Sequence, residues 1–145
     1  MKNIVIACDH GGFELKEELK TYLVDSGINV IDLGVKTKES VDYPEKAESL
    51  AKEILAGNAD KGLLVCGTGI GISIAANRFK GIRAALIHDA FGAKMCREHN
   101  NANVIVFGGR TTGIEVAKDC LDIFLKTQFL GDRHERRVNK LENLG

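Results

Sequence analysis

The 145-residue sequence predicts an α/β fold: a doubly wound, Rossmann-like or flavodoxin-like three-layer domain. Its sheet is expected to hold five parallel strands in the order 2-1-3-4-5, followed by a helical C-terminal tail. Three observations predict this. Short runs rich in Val, Ile and Leu alternate with longer segments of helical period. Central runs such as LLV and VIVF are apolar at every position, as in a sheet covered on both faces. Two of the runs end in a Cys followed by polar and glycine residues, CDHGG and CGTGIG. In the expected order the first and third strands are neighbours, and these two turns meet at the crevice where strand order reverses.

The elements follow in order. Asn3–Cys8 (NIVIAC) reads as the first strand. Phe13–Ser26 carries apolar residues at Phe13, Leu15, Leu19, Tyr22 and Leu23, near helical spacing, and stops at Gly27. Ile28–Leu33 is the second strand. Pro44, the single proline, starts a helix over Glu45–Ala56 that Gly57 ends. Gly62–Cys66 is the third strand, and a helix over about Gly71–Phe79 follows its glycine turn. Ile82–Ile87 is the fourth strand, and Asp89 caps a helix that runs to Glu98. Asn103–Phe107 is the fifth strand and Gly113–Phe129 the last long helix. The charged tail GDRHERRVNKLENLG closes the chain as a further helix.

Composition excludes several classes. With 44% hydrophobic residues the chain can build a core, so a disordered chain is excluded. No apolar run reaches the roughly 20 residues of a membrane span. Lys+Arg and Asp+Glu are both 20, so no global charge favours nucleic acid or an acidic membrane, and any anion site must be local. The start, MKNIVIACDHGG, leads into charge with no small-residue cleavage site and reads as a strand rather than a leader. No pair of Cys8, Cys66, Cys96 and Cys120 has CxxC spacing, and the four His are scattered, so no zinc site is expected. Reduced thiols and a cytoplasmic location follow as the default. One domain spans 1–145.

The turn after the third strand carries the chemistry. Gly67, Gly69 and Gly71 leave backbone N–H groups uncovered just before a helix, a setting for an anion or a developing oxyanion. No Lys follows as in GxxxxGK[ST], and Ile72 stands where GxGxxG needs its third glycine, so nucleotide readings are weak. A tight strand–helix turn without a ligand reads equally well. Cys66, at the strand end beside a helix start, suits a nucleophile or a base; it also suits a small buried hydrophobe, the usual fate of a free Cys. Thr68 offers a hydroxyl above the same turn or a helix cap. Asp9 and His10 can bind sugar hydroxyls or phosphate and shuttle a proton, or serve as a cap and a solvated imidazole.

His99 and Asn100 end the fourth helix. A His there is often only a partner of the helix dipole. By topology this loop lies at the amino-terminal edge of the sheet, away from Cys66 of its own chain. It joins the crevice only from another subunit, so a twofold dimer with each site built from two chains is expected. In the tail, Arg133 and Arg137 are four apart, share one helix face and can converge on a phosphate. A solvated basic face or an RNA patch are the other readings, the latter weakened by zero net charge. Arg110, after the fifth strand, is a further cation at the carboxyl end. His88 and Asp89 read as surface and capping residues.

The sequence resembles the ribose-5-phosphate isomerase B family of sugar-phosphate isomerases. The resemblance rests on CDHGG at 8–12, DYP at 42–44, CGTGIGISIAANRFKGIRA at 66–84, HNNANV at 99–104, FGGR at 107–110 and RHERRV at 133–138. It implies a homodimeric or tetrameric enzyme that interconverts ribose 5-phosphate and ribulose 5-phosphate with no metal or organic cofactor. It also implies roles. Cys66 would move the proton between carbons 1 and 2, and His99 would assist ring opening. Asp9 and His10 would bind substrate. The turn Gly67, Thr68, Gly69, Ile70 and Gly71 would cradle the enediolate. Asn100, Arg110, Arg133 and Arg137 would contact substrate and phosphate, and the 130–145 tail would pack on a partner subunit. Two alternatives stay open: an isomerase of a six-carbon aldose phosphate such as allose or galactose 6-phosphate, and a phosphosugar-binding module without turnover.

Overall fold

The computed structural model describes residues 3–145; Met1 and Lys2, where the reading of the N-terminus began, lie outside the described residues. Strands β1 (Ile4–Cys8), β2 (Val30–Asp32), β3 (Lys61–Cys66), β4 (Ala84–Leu86) and β5 (Val104–Gly108) form one parallel sheet. Between and after them come α1 (Phe13–Asp25), α2 (Tyr43–Leu55), α3 (Ile70–Ala76), α4 (Ala90–Glu98), α5 (Ile114–Lys126) and α6 (Arg133–Glu142). A 3-10 turn over His10–Gly12 leads into α1.

Alternation along the strands sorts the core into two layers. Ile4, Ile6, Leu63, Val65, Ile105 and Phe107 face one way, against Leu19 and Leu23 of α1, Ala93 of α4 and Phe124 of α5. Val5, Ala7, Leu64, Cys66, Val104 and Val106 face the other way, against Leu50 of α2 and Ile72 of α3. The three-layer α/β class is therefore as expected.

The strand order corrects one expectation: it is 2-1-3-5-4, not 2-1-3-4-5. The reason is burial. All five residues of β5 are buried, so it takes the central place beside β3. The three residues of β4 are only half-buried, which suits an edge. Asn77 closes part of that edge: its side chain accepts from Ala84 N–H at 2.7 Å and donates to Ala84 O at 2.9 Å. The reversal between β1 and β3 survives the correction. The loop after β5, rather than that after β4, now adjoins the glycine turn.

The β1 and β3 ends pack without room for side chains. A Cβ on Gly12 would lie 2.5 Å from the carbonyl oxygen of Val65 and 2.6 Å from its carbon. That strand backbone is fixed on both sides. Gly12→Ala should therefore destabilise the fold by about 1–3 kcal/mol, measured by urea denaturation; a variant as stable as wild type would show that the turn is loose.

The tail helix α6 packs on its own chain. Leu130 N–H donates to Glu98 O at 3.2 Å at the end of α4, and Val138 is buried. Glu142 accepts from Gly81 N–H at 2.9 Å and pairs with Arg83.

Candidate active site

Three strand ends converge at the carboxyl edge of the sheet. The loop after β1 meets the turn after β3: a Cβ on Gly11 would stand 3.0 Å from Gly67 N. The loop after β5 meets both, since a Cβ on Gly109 would lie 2.5 Å from Gly11 O and one on Gly108 2.7 Å from the Thr68 carbonyl. Backbone bonds lock the arrangement, Gly109 N–H to Cys66 O at 2.7 Å and Arg110 N–H to Gly67 O at 3.0 Å. Only glycine allows such approach.

Gly69 turns the chain with φ +79, a left-handed conformation that other residues avoid. This geometry points its N–H at the Cys66 sulfur, 3.2 Å away. Cys66 is therefore the one thiol of the four that accepts a turn amide. The remaining three thiols are not so placed. Burial pushes Cys8 and Cys96 up to about 11 and raises Cys120 as well. The Cys96 thiol instead donates to Ala93 O at 3.2 Å. Cys66 is 5% exposed and packs in the α2–α3 layer of the core.

Thr68 is exposed, and its Oγ1 accepts from Ile70 N–H at 3.2 Å in a local turn just before α3, whose N-cap is Gly69. Among the described residues the amides of Gly67 and Thr68 have no acceptor within the chain. The Arg110 guanidinium lies over Gly67, with Nη1 3.4 Å from where a Cβ would be. Asp9 is buried and accepts from Gly11 N–H at 2.9 Å, so it caps the 3-10 turn. His10 is exposed beside it. Asp89 caps α4 by accepting from Gly92 N–H at 2.7 Å. One aromatic was missed in the sequence as a site residue: Tyr43, at the start of α2, rests on Gly71, its hydroxyl oxygen 2.9 Å from a Cβ built there. Its signal was the DYP run that opens α2.

A second group sits at the opposite edge. His99 and Asn100 follow α4 and precede β5. Val104 pairs with Gly62 and Gly108 with Cys66, so at least the length of β3, about 13 Å, separates this loop from the Cys66 turn within one chain. A cavity of about 330 Å³ opens here, lined by His99, Asn100, His134, Arg137, Val138 and Leu141. Arg133 stands one turn earlier on α6, exposed and outside that lining. One chain thus groups the expected residues as Asp9, His10, Cys66 to Gly71 and Arg110 at one end, and His99, Asn100 and Arg137 at the other. Among the described residues no three His, Cys, Asp or Glu side chains are placed to share a metal ion. No described helix is long and apolar enough to cross a membrane.

Comparison with known proteins decides what this arrangement belongs to. The family described as ribose/galactose isomerase matches residues 4–141. The chain belongs to the ribose/galactose isomerase family. It is 46% identical over 141 residues to ribose-5-phosphate isomerase B of Escherichia coli K12, covering 97% of this chain and 95% of that one. It is 39% identical to galactose-6-phosphate isomerase subunit LacB of Clostridium acetobutylicum, over 94% of this chain and 79% of that one. A crystal structure of a ribose 5-phosphate isomerase from Thermotoga maritima superposes with a TM-score of 0.97 at 51% identity, covering 99% of both chains.

Proposed function

We propose that this chain interconverts ribose 5-phosphate and ribulose 5-phosphate through an enediolate, with Cys66 as the base and without a metal. The observation that carries this is the Cys66 sulfur, held at the carboxyl edge by Gly69 N–H in a turn packed between two other strand-end loops. Aldose-to-ketose conversion removes the proton on carbon 2 of the open-chain sugar and returns one to carbon 1. The thiolate form of Cys66 takes the first proton and delivers the second. Negative charge grows on the substrate oxygens between the two steps. The unpaired amides of Gly67 and Thr68 and the Arg110 cation face that charge. Thr68 and Asp9 stand beside it to hold hydroxyl groups.

The ring of the sugar must open first, and its phosphate must be held. His99, Asn100, Arg133 and Arg137 fit those tasks but lie at the wrong edge of their own chain. The reading therefore takes them from a second copy: the partner subunit's His99 faces this chain's Cys66, with the reciprocal pairing in the other site. Phosphate binding far from the reacting carbons then orients them.

The test is direct. Purified protein is mixed with ribose 5-phosphate in deuterated water containing EDTA, and the products are followed by NMR. Ribulose 5-phosphate should form, and deuterium should appear at carbon 2 of recovered aldose. Tight binding without turnover contradicts the reading and favours a binding module. Turnover of galactose or allose 6-phosphate alone contradicts it in favour of the six-carbon reading, which the likeness to LacB supports.

A further inference from the structure

We propose that His134 is a positioning residue whose ring, stacked on His99, fixes the imidazole that opens the sugar ring. The inference rests on the reading of His99 given above.

The two rings lie nearly parallel, 11° apart with centroids 4.1 Å apart. His99 is the residue that ends α4, its backbone N–H bound to Met95 O at 2.9 Å. Among the described residues neither imidazole takes part in a hydrogen bond through its ring. A ring on a helix end is otherwise free to rotate about two torsions. His134, by contrast, is only 6% exposed and sits in the first turn of α6. The segment entering that helix is tied to the end of α4 by Leu130 N–H to Glu98 O, and its last turn is tied through Glu142 to Gly81 N–H in the loop before β4. The stack therefore transmits the fixed position of α6 to the side chain of His99.

Charge favours the same arrangement. Burial, then the neighbouring His99, Arg133 and Arg137, hold His134 below the usual histidine range, opposed by Asp132. His99, the residue that caps the C-terminus of α4, stands next to it. A neutral ring at neutral pH can face a second imidazole without like-charge repulsion. A cation at position 134 could not do so as well. Both rings line the same cavity as Arg137, so fixing His99 also fixes its distance from the phosphate-binding group.

Stacking needs a flat ring but not ring nitrogens, and this gives the test. His134→Leu keeps the apolar bulk without the ring face, and His134→Phe keeps the face without the nitrogens. Both are made in the full-length protein, and melting curves accompany kinetics with ribose 5-phosphate. His134→Leu should lose about tenfold or more in kcat with KM within about twofold. His134→Phe should restore most of that kcat. Ribulose 5-phosphate is acyclic, so exchange of solvent deuterium into its carbon 1 should persist in His134→Leu. The proposal is overturned if His134→Leu keeps its kcat, if KM rises instead, which marks a phosphate contact, or if a folded His134→Phe is as impaired as the leucine variant. If His134→Leu does not fold, an inactive His134→Phe overturns the proposal and an active one supports it. A control separates the underlying reading: if His99→Ala keeps wild-type kcat, the role of His99 fails, whatever the His134 variants do.

Discussion

Cys66→Ala should lower turnover of ribose 5-phosphate by about a hundredfold to ten-thousandfold, the range over which positioned acid–base groups act. On the proposed reading the substitution removes the atom that accepts the carbon-bound proton. It leaves the amides of Gly67 and Thr68, the Arg110 cation and the opposite-edge cavity in place, so binding of the sugar phosphate measured by calorimetry should change little. Alanine also leaves a small void in the α2–α3 layer, where the Cys66 methylene packs with Val5, Leu64 and Ile72. A serine variant controls for that. Its hydroxyl fills the space and still accepts from Gly69 N–H, but it ionises too weakly to act as a base at neutral pH. Cys66→Ser should thus melt near wild type and be nearly as inactive as the alanine variant. Full activity in either variant contradicts the assignment.

Lys16→Met should have the largest effect on stability, about 3–5 kcal/mol, the range for removing one partner of a buried ion pair. Lys16 is fully buried in the core. Its ammonium donates to Glu17 Oε2 at 2.8 Å, to both oxygens of Asp32 at 3.0 and 3.1 Å and to Val35 O at 2.9 Å. Asp32 also accepts from Lys20 at 2.9 Å and from Gly34 N–H at 2.8 Å. This knot ties α1 to the segment after β2, which in turn bonds to Cys8 just before Asp9. Methionine would leave the Asp32 carboxylate buried with fewer partners. Lys16→Met combined with Asp32→Leu should recover part of the loss, because the charges that lose a partner, Glu17 and Lys20, both reach solvent. A single variant as stable as wild type contradicts this, and so does a double variant as unstable as the sum of the singles.

The pH dependence follows with its sign. For Asp32, burial raises the carboxyl, but Lys20, the Gly34 amide and Lys16 outweigh it, so the folded value lies below the ordinary 3.8. Its contribution is present above that ordinary value and is lost as pH falls through the depressed one. For Lys16, burial lowers the ammonium, but Glu17 and Asp32 outweigh it, so the folded value lies above 10.5. Its contribution is present below 10.5 and is lost as pH rises through the raised value. Urea midpoints should therefore show a plateau at neutral pH attributable to this pair, falling away in acid and in strong alkali. The double variant should lack both limbs.

Much of the architecture was legible because the central strands are apolar over most of their length and α1 and α2 end at Gly27 and Gly57. The order of the last two strands was not. It depends on which strand is covered on both faces. The hint lay in the flanks, Arg83 and His88 around AALI against the unbroken VIVFGG. The meeting of CDHGG with CGTGIG was legible from topology alone, and so was the place of His99 at the other edge. Tyr43 was not read as part of the site because it reaches Gly71 only after the long connection from β2 to α2. Nothing in FELKEELK sets Lys16 apart from the neighbouring charges, and its burial is explained by Asp32 at the end of β2. His134 was hidden among arginines, since its stacking depends on how α6 returns to the end of α4.

The most direct test of a site shared between chains mixes two variants, Cys66→Ala and His99→Ala, each inactive alone. After subunits exchange, a mixed dimer carries one site with both residues replaced and one site with both intact. Random mixing should restore roughly a quarter of wild-type activity. A proven mixed dimer with no recovered activity would contradict the account.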